Sequence, residues 1–506
     1  ASEVWARARP KKYHISIKQN YFFATFVQKL FVPCKMKDNF AHLSQNKILL
    51  LVFASIQTTY VILSIHFPFF WDATYHSQVA LHIYEQNFLT IFPEPNTDAG
   101  HPTLFNLYLA FGWRILGKSI EVSHLLQLPF AWLYVYFTYQ LIKKYVPLTW
   151  QWVAILLLCL EATLTAQIMS LNVDIPLLSG FFMALYGIDR QKNKWIIIGT
   201  TFLSLLSIRG WIMSFALFAI DLHYNQWNIK KYYLYLKRYF LFGFCIVIWL
   251  IAHKIYTKNW FASPIYQSNF CFVVIPKNIV VFFFRLLDVG RLVLWLVVLW
   301  LIFKERNRIL RIFNFEHFLL YSAVITLITF FICFVPVTNP IGHRYFMVVY
   351  VLVIIWAVQM SSKYFKKWHL APIGICFVIG HIWIYPAPIA NGWDASLAHI
   401  SYFSLKKKIW DYMQLQGIPF NQVYTYPPLH KSAYITDLDT HKTENLPLLN
   451  KENFEKAHFI LYSNISNHFN RPELEKIKTQ YIRLYEVKKG LVECAIYQKN
   501  KNFYQK

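Results

Sequence analysis

The chain has 506 residues, 56% hydrophobic and 19% aromatic but only 15% charged, a balance too apolar for a soluble domain and one that places most of it in lipid. Lys and Arg outnumber Asp and Glu by 50 to 25, yet the basic residues cluster between apolar runs, which is a membrane-topology signal, and no nucleic-acid partner is expected. The seven cysteines are scattered without metal-type spacing, so neither a cysteine metal site nor structural disulfides are expected.

Residues 1–47 are basic and aromatic and read as a cytoplasmic N-terminal segment. The first strongly apolar run starts near Ile48, too long and too late for a cleavable signal peptide, and is expected to stay as a first span. A bilayer core of about 30 Å needs roughly 20 apolar residues in a helix. On that measure spans are predicted near 48–66, 122–142, 150–169, 174–189, 195–208, 210–222, 239–256, 289–303, 317–336, 344–361 and 369–385. The fold class expected is therefore an all-α polytopic membrane domain of about eleven transmembrane helices over 48–385, with a small α/β soluble domain behind it.

Basic residues mark every second junction: Lys143 and Lys144, then Arg190, Lys192 and Lys194, then Lys230, Lys231, Lys237 and Arg238, then Lys304, Arg306, Arg308 and Arg311, then Lys363, Lys366 and Lys367. The positive-inside rule makes these junctions and the N-terminus cytoplasmic, and an odd number of spans puts the C-terminus outside. The run 102–117 (PTLFNLYLAFGWRILG) is tempting as a span, but counting it would invert every later loop. It is read instead as a helix at the outer interface, inside a long first external loop over 67–121. A second such helix is expected over 276–290. After Pro386 the apolar runs end, and the tail over 386–506 is expected to hold helices near 400–415 and 472–480. Strands are expected near 422–426, 458–462, 481–487 and 491–498, the last two joined by a turn at Lys489-Gly490.

Six residues that bear chemistry fall at the outer face on this topology: Asp72, Asp98, His101, Asp174, Arg209 and Arg344. All but Arg344, which stands at the outer face against the charge rule, have a plain structural alternative. Asp72 and Asp174 suit helix N-caps, Asp98 and His101 sit in a Gly-Pro turn, and Arg209 could be an arginine reaching for the interface. Convergence of acids and bases on one membrane edge favours a functional site.

The Trp-Asp of the first loop, the D-x-G-H-P run before a helix ending F-G-W-x-x-x-G, the D-x-P-L at Asp174 and the R-Y-F at Arg344 resemble the dolichyl-phosphate-mannose-protein mannosyltransferase superfamily. That superfamily shares the GT-C membrane fold with bacterial aminoarabinose transferases and with oligosaccharyltransferase catalytic subunits. The resemblance covers about residues 48–361. It implies that Asp72 serves as general base for the acceptor nucleophile or orients it. The phosphate expelled in such a displacement must have its charge held, for which His101, Arg209 and Arg344 are the candidates, and Asp98 and Asp174 are candidates for an acceptor-side or second acid. The resemblance further implies that Asp174 shapes the acceptor site or holds a divalent metal. The chain carries Asp72-Ala73 where many members have Asp-Glu. It has Gly100-His101-Pro102 where relatives acting on lipid A have Glu-Lys-Pro, so His101 stands in for the lysine and only Asp98 could replace the acid.

The expectation is an inverting integral-membrane glycosyltransferase, transferring a hexosyl or pentosyl group from a polyprenyl-phosphate sugar to an envelope acceptor. That acceptor is lipid A, another glycan or a protein, and the location is the periplasmic face of a bacterial inner membrane. A lipid-linked glycan transporter and a non-catalytic envelope scaffold are the alternatives. Transporters usually show internal repeats, and none is visible here.

Overall fold

The computed structural model describes residues 45–264, 268–309, 317–384, 392–440, 444–466 and 468–500. The basic segment 1–44, Arg311 and the expected boundary at Pro386 lie outside the described residues.

Helix α1 (Gln45–Leu63) leads into the first loop, which holds α2 (Ala73–Glu85) and α3 (Leu104–Leu116). The bundle continues with α4 (Ile120–Tyr145), α5 (Gln151–Leu160), α6 (Ala162–Met169), α7 (Asp174–Asp189), α8 (Asn193–Leu206), α9 (Ile208–Tyr224) and α10 (Tyr232–Thr257). It ends with α11 (Ile275–Leu287), α12 (Leu292–Ile309), α13 (Phe318–Phe334), α14 (Met347–Tyr364) and α15 (Ala371–Gly380).

Every predicted span has helix at its position, but the lengths differ from expectation. By length and composition three helical segments among the described residues can cross a membrane alone, Gln45–Leu63, Tyr232–Thr257 and His343–Tyr364, or up to five if each of two bent pairs is one span. That is fewer than the eleven predicted. Apolar character is present in α8, α13 and the segment Lys367–Gly380, yet these are only 10–17 residues long. Apolarity alone does not fix helix length when polar breaks can be buried inside protein. The run 102–117 becomes a 13-residue helix, about 20 Å long at 1.5 Å per residue and short of the ~30 Å core.

The two bent pairs explain how breaks survive in the bundle. The predicted span 150–169 is α5 and α6 meeting at 63°, and the segments 276–290 and 289–303 are α11 and α12 meeting at 91°. Glu161 sits at the first break and caps α6 by accepting from the Leu164 backbone N–H at 2.7 Å. Arg291 sits at the second break and reaches Glu161, with 2.8 Å from its Nε. One buried ion pair thereby ties both bends together.

The centre of the bundle is α7 and α14. Every residue of α7 is buried, as is α14 from Met347 to Ser361. Helix α8 approaches α7 so closely that a Cβ on Gly199 would stand 2.7 Å from the Gly180 carbonyl oxygen, the small-residue packing that membrane helices favour.

The C-terminal part carries α16 (Ser401–Leu415), β1 (Val423–Tyr424), α17 (Ala433–Thr436), β2 (Phe459–Ser463), α18 (Arg471–Gln480), β3 (Tyr481–Lys489) and β4 (Val492–Lys499). The sheet order is β1-β2-β4-β3, with β1 parallel to β2 and the other pairs antiparallel. Gly490 makes the β3–β4 turn at φ +58, a conformation glycine adopts freely. Leu405, Ile409 and Met413 of α16 pack on Val492, Cys494 and Ile496 of β4, and the same core takes in Phe70 from the first loop. The Thr436 carbonyl accepts from the Phe69 N–H at 2.8 Å, and the Ser77 hydroxyl donates to the Ile435 carbonyl at 2.6 Å. The tail thus grips the loop that carries Asp72.

Candidate functional site

Asp72 occupies the N-cap position of α2, but its side chain makes no capping hydrogen bond. It pairs with Arg344 instead. Trp71 just before it has φ +54, unusual for a bulky residue. Phe70 is stacked flat on His399 at 4.6 Å, so the turn is fixed from both sides.

Arg344 lies in the 3-10 turn (His343–Phe346) that leads into α14. Its guanidinium contacts three carboxylates: Asp72, Asp174 Oδ2 at 3.4 Å and, through Nε, Asp394 Oδ2 at 3.4 Å. Arg209 Nη1 donates to Asp174 Oδ1 at 2.5 Å and lies over the Tyr345 ring at 4.8 Å. Asp174 is the first residue of α7, and Arg209 the second of α9. The N-termini of α2, α7 and α9 and of the turn that runs into α14 therefore meet here, each bringing the positive end of its dipole. Such an assembly suits an anion.

Exposure divides the cluster. The Asp174 and Arg344 side chains are 1% and 6% accessible, whereas Asp72 is 53% accessible. Asp72 is the open face of a buried ion network.

Burial acts to raise the Asp72 carboxyl, but solvent reaches half of the side chain. The Arg344 guanidinium, with Arg209 and His76 behind it, prevails and holds it below the usual carboxylate range. Asp394 behaves oppositely: burial pushes it up in spite of Arg344, and the Asp72 charge adds to the push. Burial, reinforced by Arg209, drives His101 down to about 3. His76 falls to about 4 by burial, although its Nδ1 is hydrogen-bonded to Asn106 Oδ1 at 2.8 Å. Both imidazoles are neutral at pH 7, so His101 can offer a hydrogen bond but not a charge. Its Nδ1 is buried without a hydrogen-bond partner among the described residues.

Of the six sequence-predicted residues, Asp72, Asp174, Arg209 and Arg344 form one cluster, and His101 lies within electrostatic reach of Asp72, Arg209 and Arg344. Asp98 points elsewhere. It is wholly buried, accepts from the Gly100 N–H at 2.8 Å and faces His253 Nε2 of α10 at 3.1 Å. Gly100, at φ +72, makes that turn, and a Cβ there would be 2.5 Å from the Ala262 nitrogen.

Asp174 does not fit the divalent ion that the sequence left open. Both its oxygens are taken by guanidiniums, and among the described residues no three His, Cys, Asp or Glu side chains gather as a metal site.

Sequence reading missed Asp394, which is pinned beside Arg344 by two bonds to its own turn. Gln167 Nε2 donates to the Asp394 carbonyl at 2.7 Å, and the Thr163 hydroxyl to the Ala395 carbonyl at 3.0 Å. Gly392 opens this turn at φ +56, where a Cβ would stand 2.6 Å from the His343 ring. A signal was present: the tripeptide Trp-Asp-Ala occurs at Trp71-Asp72-Ala73 and again at Trp393-Asp394-Ala395. Also missed was the pair beneath Arg344, His343 Nε2 with Asp288 Oδ2 at 2.6 Å, which ties the α11–α12 break to the Arg344 turn.

No family model matches the chain, and no curated protein matches it. Among solved structures it is similar to ArnT from Cupriavidus metallidurans in two crystal structures. The apo state aligns at 10% identity with TM-score 0.53, over 90% of this chain and 98% of that one. The form bound to undecaprenyl phosphate aligns at 10% identity with TM-score 0.48, over 88% of this chain and 97% of that one. What is shared at that identity is the architecture, so the chain has the helical GT-C membrane fold of ArnT with a small C-terminal domain.

Proposed function

We propose that this protein is an integral-membrane glycosyltransferase that moves a sugar from a polyprenyl-phosphate donor to an envelope acceptor at the periplasmic face of a bacterial inner membrane. The observation that carries the reading is the Arg344 cluster, in which a solvent-open carboxylate is backed by a buried guanidinium shared with two other acids. Two findings support the donor class: the ArnT-like fold, known with undecaprenyl phosphate in that relative, and the meeting of four helix N-termini around two arginines.

In this reading Asp72 takes the proton of an acceptor hydroxyl or amine as its oxygen or nitrogen attacks the anomeric carbon. The bond from that carbon to the donor phosphate oxygen breaks, and the polyprenyl phosphate leaves with the electron pair. Direct displacement inverts the anomeric centre. Arg344 and Arg209 hold the charge that develops on the phosphate, and neutral His101 adds a hydrogen bond. Asp394, on the Nε side, positions Arg344. Asp98 holds the first loop to α10 and takes no part in the chemistry.

Arg344 cannot serve Asp72 and the phosphate equally. As the donor phosphate engages Arg344, Asp72 loses its counter-ion and becomes a stronger base, so donor binding itself prepares the base. The test is transfer of radiolabelled sugar from a synthetic polyprenyl-phosphate donor to extracted envelope lipids, glycans and proteins by the purified protein. Transfer abolished in Asp72→Asn at equal folding supports the reading. Equal transfer by wild type and Asp72→Asn, or none by wild type with any acceptor, overturns it.

A further inference from the structure

At the far end of α9 from Arg209 lies a groove of about 890 Å³ between α9 and α10. Its walls include Phe218 and Leu222 of α9 and Tyr232, Leu236, Gly243 and Val247 of α10. From Tyr232 to Val247 it follows α10 for ~22 Å at 1.5 Å per residue, which is half of the ~40–45 Å of a whole bilayer with its headgroups. Gly243 makes a notch in the wall, since a Cβ there would meet no atom within 4 Å.

The Tyr232 end is basic. Lys230, Lys231 and Lys237 are exposed there, and no acid occurs between Asp221 and Thr257. Asp221 itself is buried in a two-oxygen pair with Arg238 at 2.6 and 2.9 Å, so it does not neutralise the lysines. Trp227, Tyr232 and Tyr233 are 52%, 70% and 72% accessible. Exposed amphipathic rings of this kind sit at headgroup level. A slot one leaflet deep, apolar along its length and tripled in positive charge at the interface, matches a negatively charged lipid and not a zwitterionic one.

We propose that this groove binds an anionic glycerophospholipid, with an acyl chain along α10 past Gly243 and the head phosphate on Lys230, Lys231 and Lys237. The site is separate from the Arg344 cluster: Arg209 and Leu222 are ~20 Å apart along α9. The assignment does not depend on the transferase reading.

The full-length protein, purified in detergent, is exchanged against vesicles of equimolar phosphatidylcholine and phosphatidylglycerol, and retained lipid is counted by native mass spectrometry. Phosphatidylglycerol is expected to be retained over phosphatidylcholine on the order of tenfold. Gly243→Trp, which fills the notch, and a Lys230→Gln, Lys231→Gln, Lys237→Gln triple variant are each expected to bring the ratio close to that of the vesicles. Should the tryptophan variant fail to fold, the lysine variant decides, because it alters only exposed side chains. Equal retention of the two lipids by wild type overturns the proposal, as does an unchanged ratio in the lysine variant. Co-purifying polyprenyl phosphate that Gly243→Trp expels and the lysine variant keeps would assign the groove to a polyprenyl tail and overturn it as well.

Discussion

Arg291 and Arg344 head two guanidinium centres in the same bundle, built from similar groups and put to different ends. Arg291 and Glu161 are both 0% accessible, with Tyr350 stacked on the guanidinium at 3.8 Å. One acid meets one base, and the pair closes two helix breaks. At Arg344 three carboxylates share two guanidiniums, and one of them, Asp72, is open to solvent. A folding device needs matched and sealed charge, since an unmatched buried charge costs several kcal/mol. Surplus acid beside an opening contributes nothing to folding and is what a proton acceptor requires. On the proposed function, the difference between the centres is one between holding a shape and handling a substrate.

The sharpest break between the two comes from Asp72→Asn. Sugar transfer is expected to fall by about 10²–10⁴-fold, the range for loss of a general base. The melting temperature should barely move, because Arg344 keeps Asp174 and Asp394 and an exposed ion pair is worth at most ~1 kcal/mol. Thermal unfolding in detergent beside the transfer assay reads both. A large loss of stability would make Asp72 a structural residue like Glu161.

Arg291→Met should do the reverse and destabilise by about 3–5 kcal/mol, since Glu161 is left buried and unpaired. Adding Glu161→Leu should recover most of that loss. The two variants are compared by unfolding midpoint. If Arg291→Met melts as the wild type does, the sealed pair is not what holds the breaks.

How much of this contrast could be read beforehand depends on how each residue announces itself. Helix positions were legible because a bilayer demands long apolar runs. Asp72, Asp174, Arg209 and Arg344 were legible because charge at a membrane edge needs a reason. Asp98 was misplaced because its partner, His253, is 155 residues away, and only the Gly100 turn decides which way the carboxylate faces. Glu161 was hidden inside a run that passed as one span, although an acid in mid-run is itself a sign of a break with a buried partner. Asp394 lay beyond the change in composition, where the sequence reads as soluble, and only the repeated Trp-Asp-Ala pointed to it.

Asp394 sharpens the comparison, because it belongs to the open centre and is itself largely covered, at 17% accessible. Asp394→Asn keeps the volume but removes the charge on the Nε side of Arg344. Transfer is expected to drop by about 10–10²-fold through misplacement of the guanidinium. The loss should appear mainly as a higher KM for the donor, and Asp394→Glu should restore part of it. A fall confined to protein yield, with normal activity per folded molecule, would place Asp394 with the sealed pair.

The smallest effect is the most specific to an open centre. In the free protein Arg344 holds Asp72 below the usual carboxylate range, so the acid limb of kcat/KM should lie low. With donor bound, Arg344 turns to the phosphate, Asp72 rises, and the acid limb of kcat should lie at higher pH than that of kcat/KM. A base must be deprotonated to act, so both curves fall as pH falls, kcat first. His76 and His101 set the lower bound of the measurement. Their folded values of about 4 and about 3 lie below the ordinary imidazole value of 6.5. The stability they contribute is complete above pH 6.5 and is lost as pH falls through those values. Each sample is therefore returned to neutral pH and reassayed, which separates titration of Asp72 from unfolding. Coincident limbs would mean that Arg344 never exchanges Asp72 for the phosphate, and the open centre would then work with a base as fixed as the Arg291 pair.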